Sequence, residues 1–412
     1  MNSPVKKVTP HPQHHLTPPP QPFNMRRKTR KAVLHVTLFF GALLLIVYIN
    51  LPQSNSKFFA WDKVRYTTPS ASLPEARGIC PGLEKTTKPA LVVSRVSSDG
   101  DVKWSDILAD KYHRCVYTAD APLDKSSVHL QVPANRGHEA MGYLTFLIDN
   151  YENIPKAGVV FVHGSRWAWH NDVPDYDNTA LLSVLNITAA LAPSGYHNLR
   201  CDWSLSTCPL STAPQGSLET SSQAILAPWD SRATSDAALP MALASLFGGE
   251  EFAKYGGEVY LGRTATVRSQ CCAQFVVSQE SIWRHSREEY VALRQWLLDG
   301  PANKIAAPPD DKVAGRILSY VWHILFIKQK GSDISAGVVD LDQLNAKACP
   351  RADECYCRLY GRCNLGGCDK PGRCNGQYQL PPKLKVPNGL DVAIPDPDQI
   401  KLGVWGKDGL KH

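Results

Sequence analysis

Two histidines, two tryptophans, an arginine and an aspartate fall within FVHGSRWAWHND, residues 161–172. These residue types handle phosphate and protons. A guanidinium such as Arg166 grips phosphate oxygens with a planar fork of donors. His170 or Asp172 can hold a cation or act as a base, and His163 joins them as an ionisable group. Just beyond, Asp175-Tyr176-Asp177 has the Asp-x-Asp spacing that offers two carboxylates to a divalent ion. A blander reading competes: Trp167, Trp169 and His170 pack under a lid, and short Asp pairs are common in loops.

Two further groups carry similar chemistry. Asn135, Arg136, His138 and Glu139 lie between an expected strand and the helix after it. Arg136 and the helix N-terminus suit a phosphate. Asn135 caps or just precedes the helix, and Glu139 in its first turn also suits the helix dipole. In VAGRILSYVWHILF, residues 313–326, Arg316, Tyr320 and His323 recur at i, i+4 and i+7, one stripe beside an apolar face. His323 sits in so apolar a stretch that a buried ring with a partner is expected.

The elements that position these groups follow from periodicity. ALVVSRV, RCVYTAD, SVHLQVP and AGVVFVHG read as strands, and WSDILADKYH and GHEAMGYLTFLIDNYENIP as helices between them. Strands alternating with helices predict a mostly parallel sheet covered on both faces. Ligands of such sheets sit outside the carboxyl ends of the strands, where residues 163–172 fall. Farther on, residues 179–191 read as a helix and the Ser-, Ala- and Pro-rich residues 211–240 as a long loop. CCAQFVVSQESI reads as a strand entering a turn. SREEYVALRQWLLD is a helix with Tyr290, Leu293, Trp296 and Leu297 on one face, and residues 313–326 form another.

The ends of the chain define its surroundings. Residues 1–31 hold seven Lys and Arg and no acid, leaving 38 bases against 38 acids in the rest of the 412 residues. That balance gives no electrostatic case for nucleic acid. Residues 1–31 read as a disordered cytosolic tail. AVLHVTLFFGALLLIVYINL, residues 32–51, is long enough to span a bilayer core and follows RRKTRK, so a type II signal anchor is expected. Residues 52–88 read as a stem, 89–345 as the α/β lumenal domain, 346–380 as a Cys-rich module and 381–412 as an extended tail. All twelve Cys follow the apolar run, and Asn186-Ile187-Thr188 is an N-glycosylation sequon. Both suit an oxidising, secretory compartment.

Pairing is left open by the sequence. Cys80 can tether the stem to the body, and Cys201 and Cys208 can form a local bond. Adjacent Cys271 and Cys272 are expected to take different partners. The six Cys of residues 349–374 suit three disulfides better than zinc, because their spacing is irregular.

The blocks NRGHEAMGYLTFLIDNY, FVHGSRWAWHN, GYHNLRCDW, CCAQFVVS and GRILSYVWHILF resemble, in order, a largely fungal family, domain-of-unknown-function family 3431, over residues 91–363. That family carries no assigned reaction. The strand, the Tyr and Trp helix and GRILSY are also similar in layout to Golgi sugar-nucleotide glycosyltransferases. This second resemblance implies a glycosyltransferase-A-like fold, a nucleotide sugar as co-substrate and a glycan or glycoprotein acceptor. It also implies manganese or magnesium held by an Asp-x-Asp motif, for which residues 175–177 are the nearest match although out of the usual place. On this resemblance His163, Arg166, His170, Asp172 and Glu139 are the catalytic candidates. Asn135, Arg136, Arg316 and His323 are the donor-binding candidates, and Asp175 and Asp177 the metal candidates. A non-catalytic, membrane-anchored carbohydrate-binding or scaffold protein is the alternative. An α/β-hydrolase reading of VVFVHG fails for want of a Gly-x-Ser-x-Gly elbow.

Overall fold

The structure is a computed structural model that describes residues 27–50, 57–67, 77–122, 124, 130–172, 176–249, 254, 258–329, 338–375 and 377. Contacts divide the chain into two units, Met1–Leu51 and Pro52–His412. In the first, α1 (Arg27–Asn50) is one uninterrupted helix whose apolar side chains are exposed. At 1.5 Å per residue it is about 36 Å long. By length and composition it can cross a membrane, and a signal sequence meets the same test.

The second unit runs β1 (Phe58–Phe59), β2 (Ala90–Arg95), β3 (His113–Thr118), β4 (Leu130–Gln131), α2 (Glu139–Asp149), β5 (Val159–His163), α3 (Asn178–Val184), α4 (Ile187–Leu191) and β6 (Tyr196–Asn198). It continues with α5 (Leu218–Leu226), α6 (Ser231–Gly248), β7 (Phe275–Val277), α7 (Gln279–Trp283), α8 (Arg287–Asp299), α9 (Asp311–Ser319), α10 (Trp322–Phe326), β8 (Val339–Asp340), α11 (Leu341–Ala348) and α12 (Ala352–Tyr360).

Six strands form one sheet in the order β4-β3-β2-β5-β7-β6. β2 pairs in parallel with β3 and β5, so Ser94 lies opposite both Tyr117 and His163. Only β7 runs antiparallel to its neighbours. The expected α/β fold with a mostly parallel sheet is therefore present. Alternation along the strands explains why both faces are buried. Val92 and Phe161 point into a cluster with Tyr143, Phe146, Trp296 and Trp322 from α2, α8 and α10. Leu91, Val93, Val160 and Val162 point the other way, to Leu181, Leu182, Tyr356 and Leu359 of α3 and α12. Each such aliphatic burial stabilises by roughly 1.5–3 kcal/mol.

Several expectations need correction. The loop expected over residues 211–240 holds α5 and the start of α6. Ser217 and Asp230 cap these helices, and α6 buries Leu239, Leu243, Leu246 and Phe247 despite Pro240 inside it. Residues 179–191 form two short helices, and residues 313–326 break at Tyr320 into α9 and α10. Part of the expected stem belongs to the body: Phe59, Trp61, Val64 and Tyr66 are buried in its core.

All twelve Cys are paired, which bears out the disulfide reading. Cys80–Cys115 ties the pre-sheet segment to β3. Cys201 and Cys208 do not pair with each other; they bond Cys355 and Cys349 and so stitch the C-terminal region to the body. Only Cys357–Cys363 and Cys368–Cys374 close within that region. Cys271 and Cys272 bond one another, against the expectation of separate partners.

Candidate functional site

Strand order reverses between β2 and β5: β3 and β4 lie on one side of β2, β5 on the other. At such a switch point the loops leaving adjacent carboxyl ends diverge, and the crevice between them is the usual ligand position in sheets of this kind. Ser94 and His163 end the two strands. Gly164 follows, and a Cβ there would overlap Arg95, so only glycine lets the two loops separate this closely.

Three predicted residues meet at this point. Glu139 opens α2, and its Oε2 lies 3.7 Å from His163 Nδ1. That is too long for a direct hydrogen bond, and the two groups face each other as a pair. His163 Nε2 contacts the Cys272 carbonyl at 2.6 Å. A carbonyl only accepts, so Nε2 carries the proton, and Nδ1 is the ring atom left to exchange one with Glu139. The His170 ring stacks on His163 at 4.6 Å, and Trp169 lies 4.0 Å from His170 on the outside, half exposed. Burial holds the His170 pKa down to about 2, helped by His163, Arg200 and His138 nearby, so its ring is neutral. Its Nδ1 is buried without a hydrogen-bond partner.

Most of the other candidates are held by internal contacts. Arg166 donates from Nε and Nη2 to Asp177 at 2.9 and 2.8 Å, and Asp177 also caps α3 through the Thr179 amide. In this conformation the pair satisfies itself: Arg166 presents no open fork to phosphate, and Asp177 does not fit a metal ligand. Asp175 lies outside the described residues. Asp172 faces away from the crevice, accepting from the amides of Cys201 and Asp202 and from the Tyr356 hydroxyl, with its pKa raised by burial. Asn171 is fully buried and donates to the carbonyls of Arg166 and Tyr176, which fixes the shape of the loop.

Arg136 donates to the carbonyls of Leu297, Pro308 and Pro309 and pairs with Asp311, so it fastens the turn before α2 to α8 and α9. Asn135 is exposed in the same turn. Arg316 donates to the Tyr320 hydroxyl, which donates to Asp236. His323 is wholly buried, as expected, but neither ring nitrogen has the expected partner; burial pushes its pKa down to about 3. The expected stripe does not form, because His323 belongs to α10 and not to α9.

Sequence reasoning named His138 without giving it a role and missed two other contributors. His138 adopts φ 54° just before Glu139. Gln274 accepts from the His163 amide and donates to Asn171. The backbone of Cys272 and Ala273, at φ 93° and 47°, supplies the carbonyl on His163. Left-handed conformations at non-glycine residues cost on the order of 1–2 kcal/mol each and cluster at functional sites. Adjacent cysteines just before a strand end were the available signal. Among the described residues, Cys80, His113 and Cys115 form the one grouping of metal-ligand type, but the two sulfurs are bonded to each other.

The sequence pattern of a protein of unknown function, DUF3431, matches residues 91–358. The chain belongs to the DUF3431 family. The DUF3431 region begins in β2 and ends in α12, so it contains Glu139, His163, His170 and the Cys271–Cys272 pair, and excludes α1. No curated protein and no solved structure matches the chain.

Proposed function

We propose that the chain is a type II membrane glycosyltransferase-like enzyme of the secretory pathway, Golgi in residence, whose body faces the lumen and transfers a sugar from a nucleotide sugar. The observation that carries this reading is the convergence of Glu139 and His163, from two different elements, at the switch-point crevice of a mostly parallel sheet. An apolar N-terminal helix with six disulfides agrees with the compartment. The exposed sequon Asn186 agrees with it as well. In the proposed reaction an acceptor hydroxyl attacks the anomeric carbon. The carbon–phosphate oxygen bond breaks, the nucleoside diphosphate leaves, and the hydroxyl proton passes to the Glu139–His163 pair. A hydroxyl seated beside Oε2 and Nδ1 meets two acceptors and donates its one proton to either. Trp169 gives a ring face for the flat side of a sugar. No step is assigned to a metal, because Asp177 is occupied by Arg166.

One observation favours the alternative of a non-catalytic, carbohydrate-binding or scaffold protein: Arg136, Arg166 and Asp172 are all consumed by internal contacts. The experiment that separates the two is thermal stability of the full chain in lipid nanodiscs against nucleotides and nucleotide sugars, with and without manganese. A ligand at 100 times its Kd adds about 2.7 kcal/mol. With the shifting donor, Glu139→Gln should keep the shift and lower transfer by roughly 10²–10⁴-fold, the range for a lost general base. A shift that needs manganese would point to ligands outside the described residues, Asp175 first. No shift with any donor would leave the binding or scaffold reading.

A further inference from the structure

We infer that the Cys271–Cys272 disulfide is a positioning device that sets the tautomer of His163; the inference rests on the reading of Glu139 and His163 as the proton-handling pair. A bond between adjacent cysteines closes an eight-membered ring through the 271–272 peptide bond. The N–Cα bond of Cys272 is part of that ring, so its φ cannot rotate freely. That torsion is the one at 93°, a region L residues rarely enter. Ala273, at φ 47°, continues the same turn. The peptide plane between these two residues carries the carbonyl that meets His163 Nε2 at 2.6 Å.

A second link fixes the same ring from the backbone. The next residue, Gln274, accepts from the His163 amide through its side chain. His163 is thus held at its amide and at Nε2 by residues 272–274, which begin in the disulfide ring and continue directly from it. The carbonyl requires a proton on Nε2, so Nδ1 faces Glu139 unprotonated in the neutral ring. Without the covalent ring, φ of Cys272 is free to return to the ordinary region. The carbonyl then turns away, and the tautomer is no longer selected. Cys271 and Cys272 are half-buried, and the Cys272 carbonyl reaches the site through His163.

The test reads the tautomer and not activity. The full chain is labelled with nitrogen-15 histidine in nanodiscs, and long-range nitrogen–proton spectra separate Nε2–H from Nδ1–H rings. His163→Gln assigns the signal among the 13 histidines. The wild type should show His163 as a single Nε2–H form. Cys271→Ser/Cys272→Ser should lose that single form and show both tautomers, while Cys357→Ser/Cys363→Ser, which removes another short-range disulfide, should leave His163 unchanged. If the double serine chain fails to fold, Cys271→Ala/Cys272→Ala makes the same comparison, because it too opens the ring and leaves an L residue at position 272. A single Nε2–H form in every folded variant would overturn the inference. Failure of sugar transfer would not touch this result, and a Glu139→Gln chain that transfers as well as the wild type, with an intact tautomer effect, would fail the functional reading alone.

Discussion

His323 offers a test with a calculable size. Its ring is fully buried in α10, and neither nitrogen has a hydrogen-bond partner. Burial holds its pKa near about 3, and that of His197, also buried, near about 4. An unfolded histidine titrates near 6.5. Below that pH the unfolded chain takes up protons that the folded chain refuses, so stability falls as pH drops through 6.5 toward the folded values. Between pH 7.0 and 5.5 each ring removes about 1.2 kcal/mol, and the two together about 2.5 kcal/mol. His323→Leu should remove its own share of about 1.2 kcal/mol, the rest staying with His197 and His170. It should also stabilise the protein at pH 7 by roughly 1–3 kcal/mol, the penalty for buried unpaired polar atoms. Urea unfolding of the full chain at both pH values, with disulfides intact and followed by tryptophan fluorescence, measures both effects. Comparing variant with wild type cancels every other titrating group. If both proteins lose the same stability on acidification, His323 is not held neutral by the fold and the reasoning fails.

Arg166→Ala should lower stability by about 3 kcal/mol, since it strands the buried Asp177 carboxylate, and adding Asp177→Asn should recover part of the loss. An unchanged melting temperature with lost nucleotide response would instead assign Arg166 to phosphate. Tyr356→Phe removes one of three donors to the buried Asp172 and should cost about 1.5–3 kcal/mol by denaturant unfolding. Cys201→Ser/Cys355→Ser, with the nested Cys208–Cys349 bond still closed, frees an effective loop of only about 13 residues and should cost about 3 kcal/mol by loop-closure entropy, read in the same assay; a loss under about 1 kcal/mol would refute the estimate.

The strands were legible because their signal is local. β2 and β5 are short apolar runs that stop at polar residues, and the stop places His163 at the sheet edge without further information. α8 was legible by its four apolar positions, all buried. α6 was obscured by Pro240 and by its serine and alanine content; Asp230 as a cap and the spacing of Leu239, Leu243 and Leu246 were the usable signs. The site was legible in position and only partly in role. Residue type cannot say whether an arginine is spent. The partner of Arg166 lies 11 residues away, and Asp172 is held by a tyrosine 184 residues on. Such assignments depend on distances that only the folded chain sets.

The two long-range disulfides also impose an order in time. Cys208 waits for a partner 141 residues downstream, and Cys201 for one 154 residues downstream. At about 5–20 residues per second of synthesis, Cys208 stays unpaired for about 7–28 s after it is made. During that interval both thiols are open to exchange enzymes, while Cys80 and Cys115, 35 residues apart, can already close. A chain truncated before Cys349 would never discharge them. A chain that stops before Cys355 keeps at least one of these two thiols unpaired, so it is the C-terminal region that completes both bonds.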